Sequence, residues 1–248
     1  MPSSFKDSLE QTYFSTHYVH FMPQTPEGWA WVLERLGVNF GGVFQSLSRD
    51  SRILDVPCGV GYLEHYLLKE GFQKIDCVDL SKEQIGMAKQ KLTEFGLDFS
   101  HKVQFILADA FTYLEKAEPY DLIAVIDFLD HLKKDQVGEL LTLAHSALRP
   151  GGVLLSRVTN ADNPLFSQYF YRDFTHETGF TPSTIRQCLE AAGFKVEKVD
   201  YEKVGPIERT LIGGLKGRIR SAGRYVLAKL LGIPYAAFTE DLIAVARK

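Results

Sequence analysis

Two close glycines and four aspartates carry the first chemical signal in this chain. The glycines stand in "ILDVPCGVGYLEHYL", residues 53–67, where an apolar run turns through Gly59 and Gly61 into a helical pattern. A dinucleotide loop, a phosphate loop and a methyl-donor site all begin this way. The dinucleotide fingerprint wants a third glycine three residues after the second, and Glu64 occupies that place. No Gly-Lys-Ser/Thr follows, which excludes the phosphate loop. What remains is Asp-x-x-Cys-Gly-x-Gly, starting at Asp55 and containing Pro57. An acid there would repel a diphosphate and suits a cation such as an ammonium or a sulfonium. Asp79 follows 24 residues later, where a carboxylate can accept both hydrogen bonds of a ribose diol. Asp109, in "FILADAF", is placed to accept from an adenine amino group, with Leu80 and Ala110 offering apolar surface to the purine. Asp127 completes the set. Four acids in one crevice are costly unless a ligand satisfies them. The alternative is that each one caps the helix that follows it.

All four acids end apolar runs. The runs at 53–56, 75–78, 103–107, 122–126 and 153–155 predict strands, and helical patterns at 62–70, 82–95, 133–148 and 182–192 alternate with them. Strands that are apolar on both faces and separated by helices imply a parallel sheet covered on both sides, with ligands at its carboxyl edge. Thr25-Pro26 and Thr181-Pro182 predict helix starts, and Gly193 predicts a stop. Residues 194–202 and 240–248 predict two further strands.

In their order and spacing these segments resemble the class I S-adenosylmethionine-dependent methyltransferases. "LDVPCGVG" is similar to the first motif of that family, "VDLS" to the second and "LADAF" to the third. "LRPGG" at 148–152 resembles the turn before the fifth strand. The likeness covers roughly residues 50–200 and departs at Pro57, where glycine is common. It implies an α/β Rossmann-like fold: a seven-stranded, mostly parallel sheet, helices on both faces, the last strand antiparallel. It also implies S-adenosyl-L-methionine as cofactor, bound by Asp55, Pro57, Gly59, Gly61, Asp79, Leu80, Asp109, Ala110 and Asp127. The expected organisation is one domain over 1–248: an N-terminal arm and helix (1–48), a core (49–205), a basic helical insert (206–236) and a last strand (237–248).

A hydroxyl acceptor needs a base, because a neutral oxygen is a weak nucleophile toward a methyl donor. His131, in "DFLDHLKKDQ", and His176, in "FYRDFTHETGF", are the two candidates for that role. Each has a plainer reading, as a helix-start residue and as a hydrogen-bonded loop residue. Tyr171, Arg172, Asp173 and Glu177 in the same loop form an aromatic and polar surface of the kind that binds sugars. Residues 172–194 resemble a segment of bacterial methyltransferases of glycan biosynthesis, which implies a saccharide or saccharide-linked acceptor. A phenol or carboxylate acceptor, or a non-catalytic subunit that only binds the cofactor, is the alternative. No metal is expected, since Asp127 is assigned to the cofactor.

Charge and composition narrow the classes. A net charge of −3 and the strand-end sequence "IDFLDHL" argue against a nucleic-acid substrate. Three scattered cysteines fit neither a metal site nor a disulfide framework and suit a reducing cytoplasm. No basic-then-apolar leader is read, and no apolar run reaches the roughly 18 residues of a spanning helix. Residues 208–235 hold six Lys/Arg against one Glu, with leucines and isoleucines on one side. That pattern predicts either a lid or homodimer helix, or contact with an anionic membrane or lipid-linked acceptor at the inner membrane face.

Overall fold

The computed structural model describes residues 12–13, 17–23, 25–203 and 215–248. The rest of the N-terminal arm and residues 204–214, which end the core and open the basic insert, lie outside the described residues, including Leu211, one of the leucines on the insert's apolar side.

Thr25 begins the first long helix as its sequence predicts. The Thr25 hydroxyl accepts from the Gly28 amide, Pro26 sits at the first helical position, and α1 runs Pro26–Ser46. There follow β1 (Arg52–Asp55), α2 (Tyr62–Lys69), β2 (Lys74–Asp79), α3 (Lys82–Glu94), β3 (Val103–Leu107), α4 (Ala110–Leu114) and β4 (Tyr120–Ile126). The second half contains α5 (Lys134–Ala147), β5 (Leu148–Thr159), α6 (Phe166–Phe170), α7 (Pro182–Ala191), β6 (Lys195–Tyr201), α8 (Leu215–Leu231) and β7 (Asp241–Arg247).

The seven strands form one sheet in the order β3-β2-β1-β4-β5-β7-β6. β1 through β5 pair in parallel, and β7 inserts antiparallel between β5 and β6. This is the seven-stranded Rossmann-like arrangement that the resemblance implied, with β7 as its antiparallel strand. The chain reverses its direction of travel across the sheet between β1 and β4, so the crevice beyond their carboxyl ends is the topological switch point. Two apolar clusters clamp the sheet, one around Leu54, Ile123, Leu140 and Leu154, the other around Ile53, Phe40, Phe44 and Leu122.

β5 is much longer than its apolar run of 153–155. It extends through Arg149-Pro150-Gly151-Gly152, which reads as a turn, and beyond Ser156 to Thr159. β4 pairs with it at Leu148 and again from Val153, and β7 pairs with it from Val153 on, so 149–152 stand outside both ladders with Gly151 at φ +79° and the local turn signal survives as an irregularity within the strand. In α8, Ile219, Val226 and Leu230 share a stripe and are exposed, whereas Ala228 is buried. No helix among the described residues is long and apolar enough to cross a membrane.

One buried side chain makes a prediction about stability. His65 on α2 is 1% exposed, lies against Phe95 and Trp29, and neither ring nitrogen has a hydrogen-bond partner. Burial first, and then Lys69, lowers its pKa from 6.5 to about 4. The unfolded chain therefore binds a proton that the folded one refuses, so this contribution is full above 6.5 and is lost as pH falls toward 4. The expected loss is about 3 kcal/mol. Urea unfolding at pH 7 and pH 4.5 checks it: His65→Phe narrows the difference between the two pH values, and an unchanged difference contradicts the assignment.

Candidate active site

The carboxyl ends of β1 to β5 open into a cavity of ≈ 930 Å³. Its wall includes Asp55, Pro57, Gly59, Asp79, Leu80, Asp109, Ala110, Asp127, His131 and Glu177. Ten of the residues singled out by the sequence thus share one space. Gly61, His176, Tyr171, Arg172 and Asp173 are not in the wall.

The glycine turn is built by two different needs. Gly59 has φ +54° and its amide donates to Asp79 Oδ2 at 2.9 Å, which ties the turn to the end of β2. Gly61 has φ +88°, and a Cβ there would lie 3.0 Å from Ala88 Cβ on α3. Close helix packing and a left-handed backbone both require glycine at position 61. The Val56–Pro57 peptide between β1 and this turn is cis.

Asp55 is buried at 3% exposure, and its Oδ1 has no partner. Glu64, fully buried on α2, faces it, with Cys77 Sγ donating to Glu64 Oε1 at 3.0 Å and Oε2 unpaired. Burial first, then mutual repulsion, raises the Asp55 pKa, and burial also raises that of Glu64. Two acceptor-only carboxylates can stay in contact there only by sharing a proton or by receiving a cation. Glu64 entered the sequence reading as a missing glycine; its position one helical turn past the glycines, in an apolar stretch, was the available sign of a buried acid.

Asp79 is also buried, and burial raises its pKa while backbone amides oppose the rise. Its Oδ1 accepts from Ser81 N at 2.8 Å, so each oxygen holds one backbone amide and keeps one further lone pair. Asp109 Oδ1 accepts from Thr112 N and caps α4. For Asp109 the capping alternative therefore holds, and its carboxylate still borders the cavity.

Asp127 differs from the open acid that the sequence suggested. It has φ +53° and forms a two-pronged pair with Arg157 of β5, through Nε at 2.7 Å and through Nη2. Burial tends to raise the Asp127 pKa, but the guanidinium prevails and holds it below its ordinary value. Arg157 reaches on to Glu202 at 3.4 Å, and Arg35 of α1 joins Glu202 and Asp241. Arg157 was missed because the strand run seemed to end before it; an arginine just after "VLLS" in a central strand needs an acid partner.

His131 and His176 lie together, with ring centroids 4.6 Å apart. His131 reaches the cavity, while His176 stands behind it and donates through Nδ1 to the Phe170 carbonyl at 2.8 Å. Its plainer reading, a hydrogen-bonded loop histidine, describes what is seen. Asp130 holds this corner together. Its Oδ2 accepts from the Thr159 hydroxyl and amide, and its carbonyl accepts from the Glu177 and Thr178 amides. Among the described residues, Asp130, His131 and His176 are the group whose donor atoms all lie within 4.8 Å of one another. His176 Nε2 is 3.9 Å from Asp130 Oδ2, wider than the roughly 3.3 Å between ligands on a tetrahedral ion with bonds of about 2 Å.

The loop expected to bind acceptor divides. Tyr171 and Phe174 are strongly exposed, Arg172 lies over the Tyr169 ring, and Asp173 is buried. Asp173 Oδ1 accepts from the Thr175 amide (2.8 Å) and hydroxyl (2.6 Å), and Oδ2 accepts from the Tyr13 hydroxyl (2.7 Å). Thr175 Oγ1 lies 2.8 Å from His131 Nδ1. Asp173 is therefore turned away from the cavity by its own local turn, and Thr175, which has no distinctive sequence signal, takes the wall position.

Residues 18–199 match the sequence profile of a family described as methyltransferase domain. A ubiquinone biosynthesis O-methyltransferase of Xylella fastidiosa strain M23 is 29% identical over 230 residues, 83% of this chain and 88% of that protein. The protein of the same name from strain 9a5c is 33% identical over 172 residues, 63% of this chain and 65% of its own length, just under two thirds. Among solved structures, a SAM-dependent methyltransferase from Archaeoglobus fulgidus superposes with a TM-score of 0.67 at 22% identity, covering 94% of this chain and all (100%) of that one. Magnesium protoporphyrin IX methyltransferase from Synechocystis PCC 6803, with bound SAH, gives a TM-score of 0.64 at 16% identity, covering 97% and 98%.

Proposed function

This chain belongs to the S-adenosylmethionine-dependent methyltransferases, and from that premise we propose that it methylates a hydroxyl oxygen, with His131 as general base. When bound, the donor supplies an electrophilic methyl group on a sulfonium. The residues present fit such a donor. The unpaired Asp55 Oδ1 offers the amino-acid ammonium a buried counter-charge, Asp79 keeps a lone pair on each oxygen for the ribose diol, and Leu80 and Ala110 offer apolar surface. Asp109 borders the same space with the acceptor groups that an adenine amino group needs.

The observation that carries the oxygen reading is His131 in the cavity wall with Nδ1 engaged by Thr175, which leaves Nε2 as the nitrogen able to take a proton. As the acceptor oxygen forms its bond to the methyl carbon and the carbon–sulfur bond breaks, the hydroxyl proton passes to Nε2 and later to water. Positioning supplies much of the remaining rate enhancement. The printed name of the Xylella relatives, O-methyltransferase, supports oxygen over nitrogen.

For the acceptor, the aromatic wall of Tyr18, Tyr62, Phe128 and Phe174 supports a flat hydroxylated ring, a phenol or catechol. The saccharide reading rested partly on Tyr171, Arg172 and Asp173, which stand outside this wall, and keeps Glu177, Thr175 and Gln136 as polar contacts. It is the second reading. Methyl-labelled donor is offered with catechols and phenols in one arm and nucleotide sugars and glycan fragments in the other, and the methylated atom is located by mass spectrometry and NMR. Aryl methyl ethers are expected. Sugar ethers would exchange the two readings, and label found only on nitrogen or carbon would overturn both.

A further inference from the structure

The base proposed above cannot act without help, because an imidazole takes a proton only through whichever nitrogen lacks one. In water a neutral histidine favours the proton on Nε2, the nitrogen that must be bare here. Something must hold the proton on Nδ1 instead.

The hydrogen bonds around Thr175 settle where the protons lie. Asp173 can only accept while ionised, and it receives both the Thr175 hydroxyl at 2.6 Å and the Thr175 amide at 2.8 Å on Oδ1. Its other oxygen receives the Tyr13 hydroxyl at 2.7 Å and lies 3.3 Å from His17 Nε2. Burial alone would raise the Asp173 pKa, but the bonds from Thr175 and Tyr13 hold it below its ordinary value. The Thr175 hydroxyl proton is thus committed to Asp173, and Thr175 Oγ1 faces His131 Nδ1, at 2.8 Å, as an acceptor. Nδ1 must then carry the proton.

We infer that Thr175 and Asp173 are positioning residues that lock His131 in its Nδ1–H form and so reserve Nε2 for the acceptor proton. The inference rests on the hydroxyl reading for its catalytic meaning, while the hydrogen-bond order stands on geometry alone. Tyr13 belongs to the same chain of contacts. Its ring meets His131 edge-on at 6.0 Å while its hydroxyl completes Asp173, so the N-terminal segment backs the base and borders the cavity at once. The arrangement has the logic of an acid orienting a histidine base, with a threonine hydroxyl interposed.

The test uses the full chain labelled with 15N in its imidazoles, at alkaline pH, with the His131→Ala spectrum assigning the signal. The parent is expected to show a protonated Nδ1 and a bare Nε2. Thr175→Val, which keeps the shape and removes the acceptor, shifts His131 toward the Nε2–H form and lowers kcat about 10- to 100-fold, with donor Kd unchanged. Thr175→Ser restores the parent tautomer and most of the rate, which a purely structural role for the methyl group would not do. If Thr175→Val does not fold, Thr175→Ala serves with the same readouts. A parent His131 protonated on Nε2 overturns the inference, as does a Val or Ala variant with parental tautomer and rate. If His131→Ala itself keeps full rate, the hydroxyl reading fails, and the tautomer measurement still decides whether Thr175 and Asp173 set the proton.

Discussion

Asp79→Ala weakens S-adenosylmethionine binding about a hundredfold, on the order of 3 kcal/mol, the value of two hydrogen bonds to a charged acceptor. The loss has two sources. The lone pairs that Asp79 offers a ribose diol disappear, and the amides of Gly59 and Ser81 lose the acceptor that holds the glycine turn against β2. Titration calorimetry with S-adenosylmethionine and S-adenosylhomocysteine measures it. Asp79→Asn separates the two sources, since its carbonyl can still take one amide while its amide nitrogen cannot accept from the ribose. Near-parental affinity in Asp79→Ala would contradict the assignment of this end of the cavity to the nucleoside.

The second large effect falls on rate. His131→Ala is expected to lower kcat by about 10²–10⁴, the range for loss of a general base, with donor affinity within a few-fold of the parent. His176→Ala is expected to cost less. His176 stands behind His131 and bonds to the Phe170 carbonyl, so its removal takes away the ring that His131 packs on and removes no group from the cavity wall. Single-turnover rates at saturating donor distinguish the two variants. Equal losses would mean that both rings share the chemistry, against the division drawn here.

The parts of this molecule that were legible in the sequence are those set by local pattern. Apolar runs three to five residues long, with Thr-Pro before α1 and α7, place every strand but β5 and the helices read from the sequence to within two residues, because burial on both faces leaves a parallel strand little choice of composition. Acids at the ends of β1, β2, β3 and β4 are legible for the same reason, since the fold brings successive strand ends to one edge. What spacing does not carry is orientation within a loop. Between Tyr171 and Glu177 every residue is polar or aromatic, and the sequence offers no way to tell Asp173, folded back on its own Thr175, from Glu177, which borders the cavity. Nor does it reveal pairing across the sheet. Arg157 meets Asp127, and Glu64 meets Asp55, from elements whose register depends on the whole fold. The acid pair also shows why Glu64 excludes a dinucleotide in a stronger sense than the missing glycine did, since a buried carboxyl pair beside the turn leaves no place for a diphosphate.

The central claim is that His131 removes a proton from an acceptor hydroxyl during methyl transfer. It is tested most directly by comparing the parent and His131→Ala on two acceptors of similar shape that differ in hydroxyl acidity, one neutral and one already ionised at the assay pH. The account predicts a large loss of kcat in the variant on the neutral acceptor and a small one, within about tenfold, on the ionised acceptor, which needs no base. Equal losses on both would contradict it, and would leave His131 a residue that shapes the cavity without taking the proton.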